Sequence, residues 1–304
     1  MSPIHHDHSA DAVLAAMAHL PRADPHAPTV PFRADRTLPI RVEMARQMKR
    51  RRTQIALGFM VALPLILAGA FALGSDNAGP STSSFIDMAQ SSAANFAIVV
   101  LFFSSSFLLT VVVSLFFGDT VASEASWSSL KYLLAMPVPR LRLLRQKLVV
   151  AAILSLAAIA TLVVVSVLVG LAAYGPGPLS TPTGDTFGGG AVWWRVALVV
   201  VAMISQLAWV AGLAFLMTVA TDIPLGAVGT AVLLSIVSQI LDQITALGAL
   251  RNWLPTHFSF AWSGAMVDPV NWFDITRGAF QSIAYAAVFI TAAFLVFRRK
   301  DITS

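Results

Sequence analysis
Cysteine is absent from all 304 residues, and only 12% of them are Asp, Glu, Lys or Arg. The first absence excludes a disulfide framework and any Cys-based metal centre, and it leaves the redox compartment unreadable. The second excludes an ordinary water-soluble domain, in which about a quarter of residues are charged. Also missing is a G-x-x-x-x-G-K-[ST] loop, and no Gly-Lys pair occurs anywhere. The chain therefore lacks the sequence signature of a phosphate-cradling loop. Its apolar runs do not alternate with polar residues, so a membrane β-barrel is excluded as well.

What is present is a sequence suited to lipid, 57% hydrophobic with a mean hydropathy of +0.76. Runs of roughly 20 apolar residues match the length a helix needs to cross about 30 Å of hydrocarbon. Six such runs are predicted: Ile55 to Gly74, Ala97 to Phe117, Leu148 to Ala173, Val196 to Val219, Leu225 to Leu247, and Gly278 to Phe297. The short turn "ATDIPLG", with Asp222 and Pro224, separates the fourth from the fifth. Hydrocarbon cannot satisfy open backbone groups, so each run is expected to be helical and the fold all-α.

The basic residues orient these spans. An N-terminus in the cytoplasm places 17 Lys and Arg inside and only Arg195, Arg251 and Arg277 outside. Lys and Arg favour cytoplasmic loops, so both termini are expected inside, in a plasma or inner membrane. Trp193, Trp194, Trp253, Trp262 and Trp272 then fall at the outer ends of spans, as an interfacial belt. The positive balance is explained by topology, and a nucleic-acid partner is not expected. Residues 1–37 are rich in Ala, Pro, His and Asp and are expected to form a solvated cytoplasmic tail, with His5 to His8 either metal-chelating or merely hydrated. Residues 39–53 are expected to form an amphipathic helix at the inner headgroup layer. Ile40, Met44 and Met48 recur every four residues among Arg41, Arg46, Lys49 and Arg50. It is either a plain anchor or a partner-binding surface.

Between spans two and three the sequence "EASWSSLKYLLAMPVPRLRLLRQKL" interrupts the lipid-like pattern. Trp127, Leu130, Leu133 and Leu134 make a helical stripe in the loop 119–147. Pro137 and Pro139 stop it, because proline has no amide donor and forces its predecessor to be extended. A second helix is expected to run from about Arg140 straight into span three. The segment is either a surface helix that adds positive charge or a mechanical element; the fixed elbow and the acid Glu124 favour the second.

These residues resemble the type 2 ATP-binding cassette exporter permeases. The resemblance is carried by Glu124, the pair Leu133 and Leu134, Pro137, Arg140 and Lys147, all after span two. "RVEMARQMKRRRTQ" resembles the family's N-terminal interface helix, and "LPTHFSFAW" its outer re-entrant segment, within 248–276. The resemblance covers roughly residues 38–300. It implies a six-span permease with Glu124 to Met136 as coupling helix, involving Trp127, Leu130, Lys131 and the residues just named. It further implies two nucleotide-binding ATPase subunits, which hold ATP and Mg, and a second permease subunit. The permease itself would carry no cofactor and no catalytic site.

Span five contains "LLSIVSQILDQITAL", where Ser235, Gln239 and Asp242 share one helix face. A carboxylate inside a span costs about 2.5–3.5 kcal/mol, so Asp242 either lines a substrate path or subunit contact, or lies near enough to the outer surface to be hydrated. Gln206 reads as glue between helices, and His257 as structural. A non-transporting scaffold and a secondary transporter are the competing classes. A membrane protease is disfavoured, because Ser263 and His257 share one extramembrane segment rather than facing each other from two helices.

Overall fold
Apolar runs that cannot hand their backbone groups to lipid close them within helices, and helices account for nearly all the regular structure. The computed structural model describes residues 40–74, 86–123, 140–181, 184–221 and 223–299, all within the unit Leu38–Ser304. The expectations for residues 1–37, and for Glu124, Trp127, Leu130, Lys131, Leu133, Leu134 and Pro137, lie outside the described residues. In chain order the helices are α1 (Ile40–Met48), α2 (Arg51–Gly74), α3 (Ala93–Ser105), α4 (Leu108–Gly118) and α5 (Arg140–Tyr174). They continue as α6 (Gly190–Gln206), α7 (Ala208–Ala220), α8 (Pro224–Gln243) and α9 (Trp272–Arg299). Between α5 and α6 lies a small antiparallel hairpin of β1 (Leu179–Ser180) and β2 (Thr186–Phe187). Two 3-10 segments, Thr245–Trp253 and Ala261–Met266, join α8 to α9.

Among the described residues five helical stretches are long and apolar enough to cross a membrane, and a sixth is a bent pair, α3 with α4. The chain is an all-α, multi-pass membrane protein. The spans alternate between a basic end, carrying α1, Gly118, Arg140 and Arg299, and a far end carrying the hairpin and the 3-10 segments. The expected helix from about Arg140 into span three is present as one 35-residue element.

Two expectations need correction, for spans two and five. Span two was read as a continuous helix but bends by 59° between α3 and α4. The cause is local: Ser104 and Ser105 donate their hydroxyls to the carbonyls of Leu101 and Phe102 at 3.0 and 2.8 Å, competing with the backbone ladder. Phe107 then leaves helical geometry at φ −130 and ψ −55. Span four holds as one stretch, Gly190–Ala220, with only a local interruption at Leu207 that α9 bridges: Trp209 N donates to Ser282 Oγ at 3.1 Å, and Ser282 Oγ donates to the Gln206 carbonyl at 3.0 Å. Span five ends at Gln243 rather than near Leu247, because Ile244 turns extended (ψ 99) and Gly248 adopts φ +52.

Core packing depends on close approach of small residues, as membrane helix contacts require. A methyl group on Gly212 of α7 would stand 2.8 Å from Ala286 Cα of α9, and one on Gly170 of α5 would stand 2.9 Å from Ala93 Cα of α3. Large apolar side chains such as Phe59, Ile66, Leu225 and Phe280 are exposed on α2, α8 and α9, as lipid-facing surfaces must be. The exposure that a tryptophan belt requires is present at Trp193, Trp194, Trp253 and Trp272. It is absent at Trp262, which is only 4% exposed and belongs to the core.

Candidate functional site
At the basic end, short-range charge pairing fixes both flanks of segment 124–139. The last residues before it, 119–123, are held by side chains from three helices. Asp119 accepts from Arg50 at 2.9 Å and from Arg52, both at the start of span one. Val121 N and Ala122 N donate to Thr218 Oγ1 of α7 at 3.2 and 3.0 Å. Ser123 Oγ accepts from Arg50 at 3.0 Å. On the return side, Lys147 of α5 is buried; its Nζ donates to the Thr120 carbonyl at 3.1 Å and lies 3.7 Å from Glu43 Oε1. Of the coupling residues expected from the sequence, only Arg140 is reached by the described residues, where it opens α5.

The amphipathic helix α1 is present, but its protein-facing side is polar. Glu43 and Gln47, four residues apart, are buried, while Ile40, Val42 and Met48 are exposed. Ile40, Val42 and Met48 thus face away from the protein, where a headgroup layer would meet them, while Met44 packs against the core. Burial works against the Glu43 carboxylate, but Lys147, Arg46 and Gln47 together outweigh it and hold the carboxyl below its ordinary value. For Asp119 the balance is reversed: burial pushes it above its ordinary value, by more than Arg52 and Arg50 pull it down. The sequence did contain a signal for this cluster. Asp119 directly follows an apolar run whose end coincides with Arg50 to Arg52.

The far end is more open. A polar chamber of about 110 Å³ lies between the bend of span two and the middle of span four, lined by Ser105, Ser106 and Thr110 of span two, Gln206 of span four, and Gln239 and Asp242 of α8. Thr256, His257 and Ser259 close it from above. Asp242 sits one residue from the end of its helix, closer than the sequence suggested. Its Oδ1 accepts from His257 Nδ1 at 2.6 Å and lies 3.6 Å from Arg251 Nε. Gln239 Nε2 donates to the Ser106 carbonyl, freed by the bend, at 3.3 Å. Of the predicted polar face, Gln239 and Asp242 reach this chamber. Ser235 does not; it is buried and donates to Ala231 O of its own helix at 2.8 Å. His257 is indeed held structurally, by Asp242. Gln206 is not the expected glue, since its Nε2 is buried without a partner.

A second chamber of about 380 Å³ is almost wholly apolar, lined by residues that include Met88, Ile98, Phe102, Trp262 and Met266. Beside it Arg195, which the sequence marked only as an outer charge, ties the far end together. Its guanidinium donates to the Ala265 and Val267 carbonyls at 2.8 Å each, pairs with Asp268 at 3.1 Å and covers the Phe187 ring at 3.6 Å.

Residues 59–303 match a family model described as Protein of unknown function (DUF2705). The chain belongs to this family. The DUF2705 match takes in Asp119, Lys147, Asp242 and His257, whereas Glu43, Gln47, Arg50 and Arg52 precede it. No curated protein matches the sequence. The DUF2705 description carries no activity, so the functional reading has to come from the residues themselves.

Proposed function
We propose that the chain is the transmembrane permease subunit of an ATP-binding cassette exporter, moving a hydrophobic or amphiphilic substrate out of the cell. In this reading the basic end is cytoplasmic and the chain has no catalytic site of its own. Two separate nucleotide-binding subunits, holding ATP and Mg, press on segment 124–136. A second permease, identical or homologous, completes the complex. The motif residues Glu124, Leu133, Leu134, Pro137, Arg140 and Lys147 suggest the reading.

One structural observation supports it above the others: segment 124–139 leaves from a tethered platform and returns directly into α5. A helix of 35 residues is about 52 Å long at 1.5 Å per residue, against roughly 30 Å of hydrocarbon. Its first turns therefore lie beyond the apolar layer, and a displacement at Arg140 passes along a single rod. Lys147, braced on Thr120 and Glu43, is the pivot of that rod.

The test is reconstitution with the ATPase encoded by the neighbouring reading frame. Glu124→Ala combined with Pro137→Ala is expected to leave copurification intact while ATP-driven export falls about tenfold, within the usual range of coupling between sites. Unchanged export, or no copurifying ATPase, would refute the reading. A secondary transporter draws support from the bent span two, since such proteins bind substrate at discontinuous helices. Against it, Asp242 lies at a helix end and is already matched by Arg251 and His257, not poised alone at mid-membrane.

A further inference from the structure
Six Lys and Arg residues crowd positions 41–52, and two buried carboxylates answer only part of them. Glu43 takes Arg46, and Asp119 takes Arg50 and Arg52. Arg41, Lys49 and Arg51 are exposed and have no acidic partner among the described residues.

The same acids fix how α1 lies. Gln47 Nε2 donates to Glu43 Oε1 at 3.1 Å, and Lys147 Nζ of α5 lies 3.7 Å from that oxygen. The helix is thereby pinned by its inner face and does not roll. At about 3.6 residues per turn, Arg41, Ala45, Met48 and Lys49 share the opposite face, and all four are exposed. Val42, 59% exposed, sits at the edge of that face.

Depth sets what covers it. Only two residues separate α1 from α2, and Ile55 and Phe59 of α2 are exposed apolar side chains that lipid must meet. Arg51 precedes Ile55 by four residues, about 6 Å along the axis at 1.5 Å per residue, so the cations stand at the edge of the hydrocarbon. A soluble anion would answer the charge and leave Val42 and Met48 in water. A zwitterionic lipid would cover those side chains, but its own ammonium cancels much of the attraction to three unpaired cations. A phospholipid with net negative charge satisfies both.

We infer that the outward face of α1, together with Arg51, is a docking surface for acidic phospholipid. The three cations meet the phosphates, and Val42 and Met48 enter between the headgroups. Bound lipid holds α1 down on α5, because Glu43 and Lys147 join the two helices. The inference needs only a membrane-spanning chain, so it fails or survives separately from the permease reading.

The chain has no cysteine, and Ala45 is at the middle of the outward face, so Ala45→Cys carries a single fluorophore there. The labelled full-length chain is placed in phosphatidylcholine nanodiscs doped with brominated phosphatidylglycerol or brominated phosphatidylcholine. The acidic lipid is expected to quench at about tenfold lower mole fraction, and each of Arg41→Gln, Lys49→Gln and Arg51→Gln to reduce that preference by up to about fivefold. Salt at about 1 M, where charges are screened within about 3 Å, is expected to remove it. Arg41→Lys with Arg51→Lys is expected to keep it, because a headgroup layer reads charge and not the guanidinium fork. Equal quenching by the two lipids, or a preference that survives all three glutamines, would overturn the inference. So would a fluorophore that neither lipid quenches, which would mean that water or another protein covers α1.

Discussion
At the basic end Lys147, 3% exposed, meets both a carboxylate and a carbonyl, and Asp119 is gripped by two arginines. At the far end the buried nitrogens of Gln206 and Trp262 meet nothing, and Arg251 Nε stops 3.6 Å short of Asp242. The basic end spends its polar groups on each other, whereas Gln206 and Trp262 each keep a buried nitrogen without a partner. A segment that transmits force needs fixed flanks. Under the permease proposal, this difference assigns coupling to the tightly paired basic end.

The largest expected effect is at the clamp. Lys147→Ala leaves Glu43 buried beside a lost cation and is expected to lower unfolding free energy by about 3–5 kcal/mol in a denaturant titration. If the loss is below that of the far-end substitutions, the comparison collapses. Next comes Gly170→Ala, which drives a methyl into Ala93 of the neighbouring helix and is expected to cost about 1–3 kcal/mol. That outcome sharpens the contrast, since it confines looseness at the far end to the chambers and not to helix packing. Ser282→Ala removes the group that bridges the interruption in span four; it exposes Trp209 N and the Gln206 carbonyl at a cost of about 1–3 kcal/mol, read as faster amide exchange there. The smallest effect is Asp242→Asn, about 0–1 kcal/mol, as for other partly hydrated ion pairs.

Hydropathy made the spans legible, because the length of an apolar run is set by bilayer thickness and needs no tertiary context. The rod from Arg140 was legible for the same reason, with prolines marking its start. The bend in span two and the interruption in span four were not: "SSS" before Phe107 and Gln206 before Leu207 read as ordinary span residues, and only the neighbouring helices reveal whether a hydroxyl bends or bridges a helix. Two of the three residues expected on the polar face of α8 were read correctly. Gln239 and Asp242 reach the chamber, but their companions His257, Thr256 and Gln206 come from segments 14 to 36 positions away, a contact no local pattern announces. The apolar repeat of α1 was legible in Ile40 and Met48, which face away from the protein as an interfacial helix requires; the burial of Glu43 and Gln47 was not.

The most direct test of that assignment uses the absence of cysteine once more. Lys131→Cys, in a chain with no other thiol, would be paired with thiols introduced across the upper surface of the neighbouring ATPase. The account predicts a specific crosslink whose yield changes when ATP is added. A thiol labelled from the side opposite the basic end, or one that never reaches the ATPase under any nucleotide condition, would contradict it.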